Sequence, residues 1–266
     1  GKTLNYASVS NSAMGAGYDM IIVLAGATNI LRKQTQERLN HDLIGFSEGK
    51  TVGVGYHNNN PAKKPISLTS PEKDFNTREA NAQLHGFTLE NIKVPVIAVV
   101  KKNVTPLKNL KTWLENQSGQ GVVRKSLLLI DDESDYASVN TREEEDPTSI
   151  NKGIRNILNS FDVSSYLAVT ATPFANILIN HEVTNEEYGS DLFPRSFIWA
   201  LDKPETYVGV KESLGSGFKN VYTLDSTMND SEVNEELRFV FNAKKDDHYT
   251  ELLYYIKYAV CKFLYD

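Results

Sequence analysis

Residues 126–138 read Ser-Leu-Leu-Leu-Ile-Asp-Asp-Glu-Ser-Asp-Tyr-Ala-Ser. Four apolar residues run without a break into a cluster of acids, and a short apolar run is typical of a strand buried on both faces of a parallel sheet. Acids at the carboxyl end of such a strand lie at the edge where α/β proteins bind ligands. One carboxylate there can hold Mg²⁺ on a nucleotide, and a second can orient the attacking water. The alternative is a core strand that ends in a solvated acidic turn.

Further apolar runs predict strands before and after this one. They cover residues 19–25, 94–100 and 165–170. Helical patterns separate the strands and cover residues 4–14, 29–39, 105–116 and 149–160. Strands that alternate with helices favour an α/β fold, with a mostly parallel, doubly wound sheet and helices on both faces.

The composition is that of an ordinary globular protein. The 266 residues are 40% hydrophobic and 23% charged, with a formal net charge of -6, so nucleic-acid binding would need a local basic surface. The single cysteine, Cys261, permits no internal disulfide; together with an N-terminus that has no signal-like pattern, it favours a reducing cytoplasm. No apolar run approaches the roughly 20 residues that span a bilayer, so no membrane partner is expected.

Two other segments carry candidate site residues. Residues 1–3 are Gly-Lys-Thr, the sequence that ends a phosphate-binding loop, in which Lys reaches the phosphates and Thr holds Mg²⁺. The helix predicted over 4–14 would present its N-terminus to those phosphates. Residues 170–172 (Thr-Ala-Thr) end another predicted strand, so both segments are expected at the same sheet edge as the acids.

The helix predicted over 29–39 carries Arg32, Lys33 and Arg38. Such a basic cluster is most often a solvated helix face, and in a nucleic-acid motor it contacts backbone phosphates. Residues 41–90 are polar and predict loops around short strands such as 51–56.

The order of these segments resembles that of superfamily 2 helicases and ATPases. Gly-Lys-Thr at 1–3 is similar to the end of motif I, Asp-Glu-Ser-Asp at 132–135 to motif II, and Thr-Ala-Thr at 170–172 to motif III. A closer resemblance, over most of residues 1–209, is to the Z1-domain family of bacterial ATPases. Its segments are 18–29, 31–39, 94–107, 128–138, 144–148, 166–179 and 191–195, and its most specific part is Thr-Ala-Thr-Pro-Phe-Ala-Asn at 170–176.

The resemblance implies a RecA-like P-loop ATPase lobe that uses ATP and Mg²⁺. Gly1, Lys2 and Thr3 would bind the nucleotide phosphates, and Thr3 would share the Mg²⁺ with Asp132. Glu133 would be the catalytic base that positions the hydrolytic water.

The resemblance also implies coupling of nucleotide state to movement against a second lobe. The coupling residues would be Asp135, Thr170, Ala171 and Thr172. Proteins of this family resemble helicase-type motors of bacterial restriction and phage-defence systems. The implied activity is therefore that of an ATP-dependent DNA translocase or helicase, with DNA, a second helicase lobe and other defence-system subunits as partners.

Three segments are expected along the chain. Residues 1–185 form the ATPase lobe, 186–230 an irregular Z1-type extension, and 231–266 a helical segment that starts a second lobe. As the first lobe of a longer motor, the isolated chain is expected to be weakly active, because related enzymes depend on an arginine finger.

Two alternatives stay open. In a metal-dependent DNA endonuclease, the carboxylates of Asp131, Asp132, Glu133 and Asp135 would hold metal ions. In a non-catalytic scaffold, the ATPase fold would serve only to dock a partner. Replacing Glu133 with Gln separates the first alternative from a motor, since a motor keeps ATP binding but loses turnover, whereas a nuclease loses ATP-independent DNA cleavage.

Overall fold

The computed structural model describes residues 2–47, 49–57, 64–118, 121–140, 147–179, 184–185 and 187–202. Its strands are β1 Met20–Ala25, β2 Phe46–Ser47, β3 Lys50–Thr51, β4 Ile66–Ser67, β5 Val96–Lys101, β6 Val123–Asp132, β7 Phe161–Val169, β8 Thr184–Asn185 and β9 Gly189–Ser190. Its α-helices are α1 Lys2–Gly15, α2 Asn29–Leu39, α3 Thr77–Gln83, α4 Val104–Gln117, α5 Ser149–Leu158 and α6 Phe174–Ile177.

A five-stranded sheet with the order β4-β5-β1-β6-β7 forms the centre of the fold. Every neighbouring pair in it is parallel, which confirms the predicted α/β fold with a parallel sheet. The central strand β1 is buried along its whole length, as expected for a strand covered on both faces. The carboxyl ends of the strands therefore meet at one edge.

Two hydrophobic cores cover the two faces of the sheet. On one face, Leu110 and Trp113 of α4 and Ile154 of α5 pack with β-strand residues such as Ile22 and Leu129. On the other face, Tyr6 and Met14 of α1 and Leu39 of α2 pack with Val23 and Ile130. Alternate residues of each strand point to opposite faces, so the helices cover both faces, as predicted.

Side-chain caps fix where several helices begin. Thr28 accepts a hydrogen bond from Leu31 N at the start of α2, and Thr148 accepts one from Asn151 N at the start of α5. These caps satisfy backbone donors that the first helical turn leaves free.

The prediction of a strand over 51–56 is wrong. The chain forms a short hairpin of β2 and β3, followed by a 3₁₀ turn over Val54–His57. Gly53 has a φ of +58°, and a Cβ on Gly55 would lie 2.6 Å from Gly45 N. An extended strand is excluded because this backbone packs too tightly and turns too sharply.

The chain divides into two compact units, Gly1–Trp199 and Ala200–Asp266. The helical segment predicted over 231–266 lies outside the described residues, as does most of the extension predicted over 186–230. None of the helices in the described part of the chain has the length and apolar character needed to cross a membrane.

Candidate functional site

The candidate site lies where β6 and β7 end. Asp132 is the last residue of β6 and pairs in register with Val169, the last residue of β7. Residues 132–136, here called the acidic turn, and residues 170–172, here called the threonine turn, leave the sheet side by side. The backbone N–H of Ser134 donates to Val169 O at 3.2 Å, which holds the acidic turn against the end of β7.

Asp135 joins the two turns. Its Oδ1 accepts a hydrogen bond from Thr170 Oγ1, and its Oδ2 accepts one from Thr172 Oγ1, both at 2.6 Å. Thr170 Oγ1 also accepts from the backbone N–H of Thr172 at 2.9 Å. A single carboxylate therefore bridges both threonines and connects the acidic turn to the threonine turn. Ala171 lies between them and is exposed.

Asp132 and Glu133 remain at the surface of the turn. Asp132 is half-buried; its Oδ2 accepts from Tyr6 Oη at 3.4 Å, and its Oδ1 accepts from Glu133 N at 3.0 Å. Glu133 has a φ of +54°, a left-handed backbone conformation that is uncommon for a residue with a side chain. Backbone strain of this kind is concentrated at functional sites.

A cleft of about 840 Å³ opens beside these two carboxylates. The residues that line it come from the end of β1, from α2, from the turn after α2 and from the acidic turn: Gly26, Leu31, Gln34, Thr35, Glu37, Arg38, His41, Asp42, Asp132 and Glu133. A cleft of this size is in the usual range for a small-molecule site.

Asp131 points away from the cleft and into the protein. Its side chain is 0% exposed, and its Oδ1 lies 2.6 Å from Nζ of the equally buried Lys102. Its Oδ2 accepts a hydrogen bond from Tyr166 Oη at 2.7 Å. Burial raises the pKa of Asp131, and the charge of Lys102 opposes that rise. Burial and the negative charge of Asp131 together raise the pKa of Tyr166 well above its ordinary value.

Lys2 and Thr3 of the Gly-Lys-Thr segment lie at the start of α1. Helix α1 begins at Lys2, includes Thr3, and reaches Asp132 through Tyr6, about one turn later. Gly1 lies outside the described residues. The start of α1 is thus at the same edge of the sheet as the acidic turn.

The three basic residues of α2 have different surroundings. Arg32 is only 3% exposed and donates to Pro71 O at 2.7 Å, so its burial removes it from any surface that DNA could contact. Lys33 forms an ion pair with Glu72. Arg38 is exposed and lines the cleft, and it is the member of the three best placed to contact a ligand.

The carboxylates beside the cleft suit Mg²⁺ that is bound together with a nucleotide better than a metal ion held by protein side chains alone. Among the described residues, no group of three or more His, Cys, Asp or Glu side chains could hold a metal ion. Magnesium that is bound together with a nucleotide needs only one or two protein carboxylates, because phosphates and water complete its octahedron. Asp132, at a strand end and beside a cleft, supplies one such carboxylate.

Sequence reasoning missed four residues that contact the acidic turn or the adjacent Asp131, namely Tyr6, Lys102, Tyr166 and Asn176. Asn176 is 4% exposed and lies 3.5 Å from the backbone oxygen and from the hydroxyl of the buried Ser134. One signal for Lys102 was present, since it follows an apolar strand directly and so belongs at the same sheet edge.

Comparison with known proteins assigns no family to this chain. No family model, no curated protein and no solved structure matches it.

Proposed function

We propose that the unit Gly1–Trp199 is the RecA-like ATPase lobe of a bacterial motor that hydrolyses ATP with Mg²⁺ and couples the hydrolysis to DNA. The observation that carries this proposal is the pair of hydrogen bonds from Thr170 and Thr172 to Asp135. They join the two segments that the sequence resemblance assigns to motifs II and III. The DNA partner, a second lobe, the other defence-system subunits and a cytoplasmic setting rest on that resemblance.

The start of α1 and the end of β6 would hold the nucleotide. The hydrogen bond from Tyr6 to Asp132 supports this role, because it ties the helix that begins at Lys2 to the carboxylate at the strand end. Lys2, with Gly1, would contact the phosphates, and Thr3 and Asp132 would hold the Mg²⁺. When bound, Mg²⁺ neutralises charge on the phosphate oxygens.

Glu133 would act on the attacking water. It lines the cleft next to Asp132, and its carboxylate can accept a hydrogen bond from a water molecule and orient it toward the phosphate. General-base assistance of this kind contributes about 10²- to 10⁴-fold to a rate.

The threonine turn would report the state of the nucleotide. Asp135 follows Glu133 by two residues and holds Thr170 and Thr172 by hydrogen bonds of 2.6 Å. A shift of the acidic turn between nucleotide states would move the threonine turn and α6, which follows it. The exposed apolar residues Phe174 and Leu178 would carry that shift to a partner lobe.

The arrangement of the carboxylates favours an ATPase over a nuclease. Asp131 is engaged with Lys102 and Tyr166, and Asp135 is engaged with the two threonines. Only Asp132 and Glu133 of this cluster line the cleft. A nuclease that needed all four carboxylates for metal ions would have to break both of these networks.

The test compares wild-type full-length protein with the Glu133→Gln variant. We expect the variant to bind Mg-ATP with nearly wild-type affinity and to lose turnover by about 10²- to 10⁴-fold, because the amide cannot accept the proton. Glu115→Gln is the control, since Glu115 is an exposed glutamate of α4 that does not line the cleft, and we expect it to keep wild-type turnover.

Three results would contradict the proposal. The first is a wild-type protein that does not hydrolyse ATP. The second is turnover that is the same in Glu133→Gln and wild type. The third is metal-dependent DNA cleavage that needs no ATP and is lost in Glu133→Gln, which would make the acidic turn a nuclease site.

A further inference from the structure

Lys102 is a buried cation whose ammonium group contacts the start of the acidic turn. Its side chain is 0% exposed, and its Nζ lies 2.6 Å from Asp131 Oδ1. Nζ also donates to the backbone oxygens of Asp132 and Glu133 at 2.8 Å each, and it lies 3.3 Å from that of Tyr136. An ammonium group has three N–H donors, so the three hydrogen bonds to main-chain oxygens account for all of them, and Asp131 Oδ1 is the partner in the ion pair.

We infer that Lys102 is a positioning residue, which fixes the backbone of Asp132 and Glu133 so that their two carboxylates face the cleft. This inference rests on the proposed function, in which those carboxylates hold Mg²⁺ and orient water. The hydrogen bonds from Lys102 run to main-chain oxygens. The lysine therefore holds the turn through its main chain rather than through the carboxylates of Asp132 and Glu133.

The backbone of Glu133 explains why such a restraint is needed. Its φ of +54° is a conformation that persists only where the surroundings enforce it. Hydrogen bonds with a charged donor are stronger than neutral ones, and one of them holds the carbonyl group of Glu133 itself. Lys102 is thus in direct contact with the strained peptide unit.

The alternative role for Lys102 and Asp131 is that of an ordinary structural ion pair, and a second, less buried lysine–aspartate pair in the same sheet serves as the control. Lys125 Nζ lies 2.9 Å from Asp19 Oδ1 and donates to Ile92 O at 3.0 Å. This second lysine likewise contacts one aspartate and main chain. It belongs to β6 but lies near the start of that strand, away from the acidic turn.

The experiment uses two double variants of the full-length protein. Lys102→Met with Asp131→Asn removes the buried charges together, because removing the lysine alone would leave an uncompensated buried carboxylate. Lys125→Met with Asp19→Asn is the control. Hydrogen exchange of the amides of residues 133–136 is measured for both, together with Mg-ATP affinity and kcat.

We expect the Lys102 double variant to exchange these amides severalfold faster than wild type. It should keep Mg-ATP affinity within a few-fold and lose kcat by about 10²-fold, as expected for a misplaced catalytic group. The control should match wild type in all three measurements. A purely structural ion pair would not separate kcat from affinity in this way.

The inference is overturned if exchange in the acidic turn is unchanged in the folded Lys102 variant. If that variant does not fold, NMR of the wild type tests the inference instead. The measurement is of hydrogen-bond couplings between Lys102 Nζ and the carbonyl carbons of Asp132 and Glu133. Absence of these couplings would overturn the inference. A wild type without ATPase activity would refute the proposed function alone, because the exchange and the couplings are measured without turnover.

Discussion

At the scale of single residues, Glu133 combines a proposed catalytic role with a strained backbone. Its φ of +54° lies in the left-handed region, where a residue with a side chain costs about 1–3 kcal/mol. Ala137, with a φ of +64°, has the same kind of backbone and no part in the proposed chemistry. The two residues therefore allow strain and catalysis to be separated.

We predict that Glu133→Gly and Ala137→Gly each leave the free energy of unfolding unchanged or raise it by up to about 1 kcal/mol, because glycine adopts this conformation without strain. Glu133→Gly should lose ATP turnover, and Ala137→Gly should keep it. Urea unfolding and steady-state hydrolysis check the two expectations. Marked destabilisation by both glycines would show that these backbones are not strained.

At the scale of elements, Asp135 connects the acidic turn to the threonine turn. The hydroxyls of Thr170 and Thr172 supply that connection, and valine has the shape of threonine without its hydroxyl. The double variant Thr170→Val with Thr172→Val therefore cuts the connection with little change in volume.

We predict that this double variant keeps most of its basal ATP hydrolysis and loses the stimulation of hydrolysis by DNA. The reason is that Asp132 and Glu133 remain in place while the proposed link toward a second lobe is broken. Thr112→Val, at an exposed position of α4, is the control and should behave as wild type. Stimulation that survives in the double variant would rule out the proposed coupling route.

Asp19, at the opposite edge of the sheet from the candidate site, makes the stability of the protein depend on pH. Burial alone would raise the pKa of Asp19, but hydrogen bonds from the backbone and hydroxyl of Ser126 and from Lys125, with the charge of Lys125, outweigh it and lower the pKa below the ordinary value of 3.8. A carboxylate whose pKa is lower in the folded state than in the unfolded state stabilises the fold fully at any pH above its unfolded-state pKa. This stabilisation is lost as the pH falls through its folded-state pKa.

We therefore predict that Asp19→Asn destabilises the protein at neutral pH and that the difference from wild type shrinks once the pH falls below about 4. Urea unfolding of both proteins at a series of pH values measures this difference. A difference that grows toward acid would contradict the assigned direction of the shift.

At the scale of the whole molecule, local patterns predicted four of the five strands of the central sheet and missed β4. The strand predicted over 19–25 corresponds to β1, and the helix predicted over 29–39 has the bounds of α2, because a continuous apolar run and a helical pattern are local signals. The region of 41–90 was not predictable in this way. Its hairpin and 3₁₀ turn depend on the close approach of Gly53 to His41 and of Gly55 to Leu43 and Gly45, ten to twelve positions earlier in the chain.

In the candidate site, too, some features could be predicted from local sequence patterns and others could not. The acids and the Thr-Ala-Thr segment could be placed at one edge from strand order alone, since the carboxyl ends of parallel strands share an edge. Two features could not be predicted from the sequence: the hydrogen bonds of Lys102 to main-chain oxygens and the burial of Arg32. Each depends on a residue 30 or more positions away in the chain.

Coupling of ATP hydrolysis to DNA is the property that defines the proposed motor, and the most direct measurement is the rate of Mg-ATP hydrolysis by the full-length protein with and without DNA. We predict clear basal turnover that DNA raises severalfold in the wild type, and neither turnover nor stimulation in Glu133→Gln. A wild type that hydrolyses no ATP, or one whose hydrolysis is indifferent to DNA, would contradict the assignment of this chain to a DNA-coupled ATPase.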